Sequence, residues 1–269
     1  MTPVEVHQGA SPLVLGLPHT GTHVPEEIYA TLNGVGRALA DTDWHVDRLY
    51  DGLHPDATVV RATFHRYVID ANRDPAGESL YPGQNTTGLC PLTDFDGRQI
   101  YRENQAPDAT EIERRRRAFH APYHAVLARE LDRVHRRHGF AVLYDCHSIR
   151  SHIPFLFDGE LPVLNIGTNN GETCHSAIEQ AAMEFATSSP FATVLNARFK
   201  GGWTTRHYGR PDEGLHAIQM EIAQRAYLAE EKPPWCYDAA KANRLRPWLR
   251  DILLAISDDP TSLLAELST

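Results

Sequence analysis

An α/β layer fold is what this sequence predicts, and three observations carry it. Short apolar runs of strand length alternate along the chain with segments of helical periodicity. The 269 residues suffice for one large α/β domain. No repeat, linker or charge block divides them, so residues 1–269 are expected to form a single domain.

The elements follow in order. Residues 12–17 are an apolar run that stops at Pro18-His19, ahead of a turn-rich stretch through Pro25. In residues 43–53, Val46, Leu49, Tyr50 and Leu53 fall at helical spacing, and Asp41-Thr42-Asp43 supplies N-cap residues. Two β-rich runs are expected at 57–64 and 66–69, the second delivering Asp70, Asn72 and Arg73 into a loop. Residues 75–107 are rich in Gly, Pro, Asn, Thr and Asp and read as a long surface excursion. The longest helical candidate covers 107–138, with Pro122 expected to break or kink it. Arg114 to Arg117 lie within it; consecutive helix positions point in different directions, so a solvated face is expected rather than an anion site. A strand at 140–144 then ends at Asp145-Cys146-His147-Ser148. A helix is expected at 177–185, short strands at 193–195 and 216–222, and a helix-rich end at 239–267.

Composition narrows the function. With 26 Lys+Arg against 35 Asp+Glu the net charge is -9, which disfavours a nucleic-acid partner. The first apolar run, 13–17, is too short and wrongly flanked for a signal peptide or membrane span, so a cytoplasmic protein without a membrane partner is expected. Cys90, Cys146, Cys174 and Cys236 contain no CxxC pair and read as reduced thiols. The count of 15 histidines raises the prospect of metal chemistry.

Position then selects the candidates. Polar groups that follow strands in an α/β sheet meet in the crevice at the strand ends. A catalytic zinc needs about three ligands from His, Asp or Glu. His19 and His147 supply two; Asp43 is a third, with Asp41, His45 and Asp47 as close competitors. In 216–222, strand alternation sets Ile218, Met220 and Ile222 on one face and Glu221 on the other. A carboxylate in a buried strand is tolerated when paired or working, and a raised pKa suits it to accepting a proton from water. Arg66, Asn72, Arg73, Arg150 and Arg206 could hold an anionic substrate, since the arginine fork matches a carboxylate. A nucleophilic hydrolase built on Ser148 or Cys146 lacks a GxSxG elbow. A carboxylate-binding protein without catalysis would use the same arginines and need no Glu221.

The strings LPHTGTHVPEEI, ADTDWHVDRLYDGL, HRYVIDANRDPAGESLYPGQNTTGLCP, YDCHSIRSHIPFLFDGELPVLNIGT and NARFKGGWTTRHYGRPDEGLHAIQMEIAQRAYL closely resemble the N-formylglutamate amidohydrolase family. The resemblance runs in order from about His19 to Tyr227. It implies metal-dependent hydrolysis of N-formyl-L-glutamate to formate and L-glutamate, a step of bacterial histidine degradation. It also implies kinship with the zinc carboxypeptidase and aspartoacylase group, and hence a three-layer α/β/α fold around a mixed sheet. By that resemblance His19 and His147 match the group's metal-binding histidines, and the ion is Zn2+ or a similar divalent cation. The group's usual Glu, three residues after the first His, is replaced by Thr22. Asp43, followed by Val46 and Leu49, fits the acidic pattern of more distant relatives and inherits the ligand role. Asn72-Arg73 matches the pair that grips the substrate carboxylate, Arg66 an arginine upstream of it, and Glu221 the late catalytic Glu.

Overall fold

The computed structural model describes residues 2–78 and 86–257. Its strands are β1 (Val4–His7), β2 (Leu13–Leu17), β3 (Thr58–Ala62), β4 (Ala141–Ile149), β5 (Leu164–Gly167), β6 (Thr193–Leu195) and β7 (Leu215–Ala223). They form a mixed seven-stranded sheet in the order β1-β3-β2-β4-β7-β5-β6. Strands β2, β3, β4 and β7 run parallel at the centre, while β1 and β5 pair antiparallel with β3 and β7. The helices are α1 (Glu26–Tyr29), α2 (Gly34–Arg37), α3 (Val46–Tyr50), α4 (Ala109–Arg115), α5 (Ala121–His138), α6 (Ser176–Ser188), α7 (Trp203–Tyr208) and α8 (Ala239–Ala255).

Alternation along the strands creates the layers. Leu13, Leu15 and Leu17 of β2, Val142 and Tyr144 of β4, and Ile218, Met220 and Ile222 of β7 pack with α3, α6 and α8. Val14, Leu143 and Ala217 face the other way and pack with Tyr123, Leu127, Leu131 and Val134 of α5. Helices therefore cover both faces of the sheet in the expected α/β/α arrangement. Each Leu or Val buried this way stabilises the fold by about 1.5–3 kcal/mol.

On the α5 face the apolar pattern gives way near the strand ends. Leu143 is followed by Asp145 and His147, and Ala217 by Gln219 and Glu221; the register sets Asp145 against Gln219 and His147 against Glu221. Polar side chains thus collect beyond the end of the core on that face.

Several elements differ from expectation. The run 66–69 makes turns rather than a strand. The helix expected at 43–53 is confined to Val46–Tyr50, because His45 takes a left-handed conformation at φ 59° and ends the continuity before it. The strand expected at 140–144 continues through the polar residues to Ile149, paired along its length with β7. The helical stretch from Ala109 to His138 is interrupted just ahead of Pro122, as expected, by a π turn at Arg116–His120, and α5 resumes with Pro122 in its first turn. Arg115 is buried, not solvated: it bonds Glu111, the Val68 carbonyl and the Tyr101 hydroxyl, while Arg114, Arg116 and Arg117 pair with Glu111 and Glu113 on the surface. Residues 79–85 of the expected surface excursion and 258–267 of the expected helix-rich end lie outside the described residues. Among the described residues no helix is long and apolar enough to cross a membrane.

Candidate active site

Three backbone segments deliver the central cluster. His19 follows β2, Asp43 precedes α3, and His147 lies near the end of β4. A backbone bond from the Asp43 N–H to the His19 carbonyl, 3.1 Å, ties the first two segments together. All three residues are at most 2% exposed. His147 Nδ1 lies 3.1 Å from Asp43 Oδ2 and 3.3 Å from His19 Nδ1, and His19 Nδ1 lies 3.8 Å from Asp43 Oδ2. Donors about 2.0–2.2 Å from a shared tetrahedral ion stand roughly 3.3 Å apart, so these spacings suit one divalent cation.

The far side of each ring supports the same reading. His19 Nε2 faces Asp70 Oδ1 at 2.7 Å, and His147 Nε2 faces Asp145 Oδ2 at 3.1 Å. A carboxylate behind one imidazole nitrogen holds the proton there and leaves the other lone pair for a metal. Among the described residues, His19, Asp43 and His147 are the group of His, Cys, Asp or Glu side chains that meet at ligand spacing. The competitors do not join them. Asp41 accepts from the Tyr67 hydroxyl and the Phe95 N–H, His45 Nε2 donates to the Trp235 carbonyl, and Asp47 pairs with Arg61.

Charge in the cluster is tightly balanced. Arg66 bonds Asp43 Oδ1 at 3.2 Å and reaches His19 Nδ1, bringing a cation to the atoms a metal would use. Burial, and then the Arg66 charge, hold the His19 pKa down to about 4. Burial opposes charge on His147, but Asp145 and Asp43 outweigh it and raise its pKa. Asp43 is likewise held low, against burial, by the His147 hydrogen bond and the Arg66 charge. Burial pushes Glu221 up to about 8, against the pull of His147.

These groups border a cavity of about 300 Å³ whose lining includes His19, His147, Glu221, Arg66, Asn72 and Arg73. Asn72 Nδ2 packs 3.0 Å from His147 Nε2, whose proton Asp145 holds, and Asn72 Oδ1 accepts from the Thr204 N–H at 2.8 Å. Arg73 donates to the Thr87 carbonyl and hydroxyl while remaining 25% exposed toward the cavity. Arg150 and Arg206 are not brought to this lining: Arg150 pairs with Asp96 at 3.0 Å, and Arg206 Nε donates to the Gly201 carbonyl from α7. Arg198 and Gln219 do line the cavity, and sequence reasoning missed both. The position of Gln219, two residues before Glu221 on the same strand face, was the signal available for it.

The nucleophile alternatives are otherwise engaged. Ser148 Oγ is held by the Tyr227 hydroxyl at 2.6 Å and the Gln224 amide at 3.3 Å. Burial drives the Cys146 thiol pKa well up, away from a reactive thiolate. All four cysteines are free thiols.

Comparison with known proteins identifies the family. A family model described as N-formylglutamate amidohydrolase matches residues 11–228, a stretch that holds every residue of the cluster and the cavity wall. An N-formylglutamate deformylase of Pseudomonas aeruginosa is 45% identical over 249 residues, covering 91% of this chain and 92% of its own. A Pseudomonas putida protein of the same name is 43% identical over 252 residues, covering 93% and 94%. The crystal structure of an N-formylglutamate amidohydrolase from Ralstonia eutropha JMP134 superposes with a TM-score of 0.78 at 25% identity, covering 99% of this chain and 100% of that one. With sequence and fold matching over nearly the whole length, the chain belongs to the N-formylglutamate amidohydrolase family.

Proposed function

We propose that this chain, acting as a single domain, hydrolyses N-formyl-L-glutamate to formate and L-glutamate, in the cytoplasm and within histidine degradation. We further assign His19 Nδ1, Asp43 and His147 Nδ1 as the residues that hold a divalent ion, Zn2+ in the first instance. The observation that carries the reading is the convergence of those three donors beside Glu221 and the arginine-lined cavity, in a chain of this family. An ion held there supplies Lewis acidity toward the formyl carbonyl and toward water.

The chain's own residues do the rest. Arg73 and Arg66 meet the carboxylates of the substrate, and Asn72, fixed between His147 and the Thr204 N–H, borders the same space. A small formyl group held by two remote charges is oriented before it reacts. Glu221 accepts the proton of the attacking water and passes it to the leaving nitrogen as the C–N bond breaks, giving formate and the glutamate amine. A base whose pKa burial has brought near neutrality suits both transfers.

The test pairs substrates and metal. N-formylglutamate is expected to exceed N-formylmethionine in kcat/KM by at least about tenfold, because the latter lacks the side-chain carboxylate that the cavity's arginines would meet. Exhaustive chelation is expected to abolish turnover, and added Zn2+ to restore it. Equal kcat/KM for the two substrates would refute the assigned substrate; full activity after chelation would refute the metal.

A further inference from the structure

The segment 66–73 carries Arg66, Asp70, Asn72 and Arg73 but makes turns rather than a strand, so no sheet ladder satisfies its carbonyls. Buried carbonyls need donors from elsewhere. Here they come from side chains of the long helical stretch. Arg115 donates to the Val68 carbonyl at 3.2 Å, His124 Nε2 to the Ala71 carbonyl at 2.7 Å, and His120 Nε2 to the Arg73 carbonyl at 3.1 Å. The spacing of four between His120 and His124 puts both rings on one helix face. Their centroids are 4.4 Å apart. His120 closes the π turn, a feature found often where a helix serves a functional site. The Trp203 ring packs against both, with centroids 4.8 Å from His124 and 5.7 Å from His120, and the Tyr208 hydroxyl meets His124 Nδ1 at 3.1 Å.

The two anchored carbonyls flank the working side chains. Ala71 lies between Asp70, which backs His19 at 2.7 Å and accepts the Asn72 backbone N–H at 2.8 Å, and Asn72, whose side chain packs 3.0 Å from His147 Nε2. Arg73 itself lines the cavity. We propose that His120 and His124 are positioning residues: His124, through the Ala71 carbonyl, sets Asp70, which orients the metal-binding His19, and Asn72, which packs beside His147, and His120, through the Arg73 carbonyl, sets the arginine that meets the substrate. Neither touches substrate or metal. The assignment rests on the proposed amidase reading for its kinetic signature and on the proposed metal site for its binding signature.

The test replaces each ring by Phe, which keeps the ring and removes the N–H, and by Gln, which keeps an N–H donor. Zn2+ affinity by chelator competition, melting temperature, KM and kcat are measured on the full chain. His124→Phe is expected to weaken Zn2+ binding about threefold to tenfold, less than or equal to the loss seen when a group directly behind a ligand is removed. His120→Phe is expected to leave Zn2+ affinity within about twofold and to raise KM for N-formylglutamate about tenfold, as expected for lost ground-state grip. Each Gln variant is expected to recover most of its loss. Phe variants that melt lower yet keep the Zn2+ affinity and KM of the unmodified protein would overturn the proposal, reducing the pair to packing. If His124→Phe does not fold, the KM of His120→Phe decides alone. If the unmodified protein does not turn over N-formylglutamate, the functional reading fails and the Zn2+ titration of His124→Phe decides; a protein that neither turns over this substrate nor binds Zn2+ overturns both.

Discussion

Glu221 sits on a central strand at 7% exposure, a position where a carboxylate persists only if its neighbours or its work justify it. Its Oε2 accepts from the Gln219 amide at 3.3 Å, so the polar environment that tolerates it is the site itself. Glu221→Gln keeps the shape and removes the proton acceptor. The variant is expected to bind Zn2+ and substrate as before and to lose about two to four orders of magnitude in kcat. Near-normal turnover would make Glu221 structural. The acidic ligand is tested the same way: Asp43→Ala is expected to lose Zn2+ affinity at least about tenfold, while Asp41→Ala, whose parent carboxylate serves Tyr67 and Phe95, keeps it. The reverse result would exchange their roles. His19, His147 and Glu221 were legible because strand periodicity and strand ends locate a side chain by counting. Asp43 was preferred because the helix it opens follows the His19 loop, with Asp41, His45 and Asp47 as close competitors that only the family resemblance set further back, since a short turn before a helix has no period to count. Arg198 could not be found at all from local pattern, because its place in the cavity wall depends on how distant loops close.

At the scale of elements, strands were legible wherever an apolar run met a turn signal, and boundaries failed where polar residues continued the strand. β4 is the clear case: Asp145 and His147 are polar, yet both stay in the ladder because their partners in β7 are Gln219 and Glu221. Helix α7 escaped notice because its six residues, rich in Thr and aromatic rings, carry weak helical propensity and are held by tertiary contacts. Those contacts include the Gly202 N–H, which donates to Gln219 Oε1 at 2.6 Å. Gly202 also approaches Asn72 so closely that a Cβ there would stand 2.3 Å from the Asn72 amide nitrogen. Gly202→Ala must therefore push Asn72 or the start of α7 aside. It is expected to cost about 1–3 kcal/mol in stability, as overpacking does, and to lower kcat/KM at least about tenfold. Unchanged kinetics in a variant of reduced stability would show that the Asn72 position is immaterial to the reaction.

Apart from His147, whose pKa Asp145 and Asp43 raise, the buried imidazoles of His19, His65, His124 and His216 are held uncharged, and this shapes the response to acid. Burial, together with the neighbouring charges of His120 and His207, lowers the His124 pKa to about 3, although its bond to the Ala71 carbonyl works the other way. Burial also lowers His216 and His65, so His124 is not isolated in this respect. In the unfolded chain the same ring titrates near about 6.5. A folded pKa below the unfolded one means that the unfolded state takes up the proton first as pH falls. The stability that neutral His124 contributes is therefore full above about pH 6.5 and is lost progressively on the way down to pH 3, at about 1.4 kcal/mol for each pH unit. Denaturant melts of the metal-free chain between pH 7 and 4.5 are expected to show that decline, added to whatever the other buried histidines contribute. His124→Gln keeps a donor for the Ala71 carbonyl and cannot titrate, so its curve is expected to fall less steeply, by about one proton taken up per molecule unfolded. Parallel curves for the two proteins would mean that His124 carries the same charge folded and unfolded, and that acid acts on this fold through other groups.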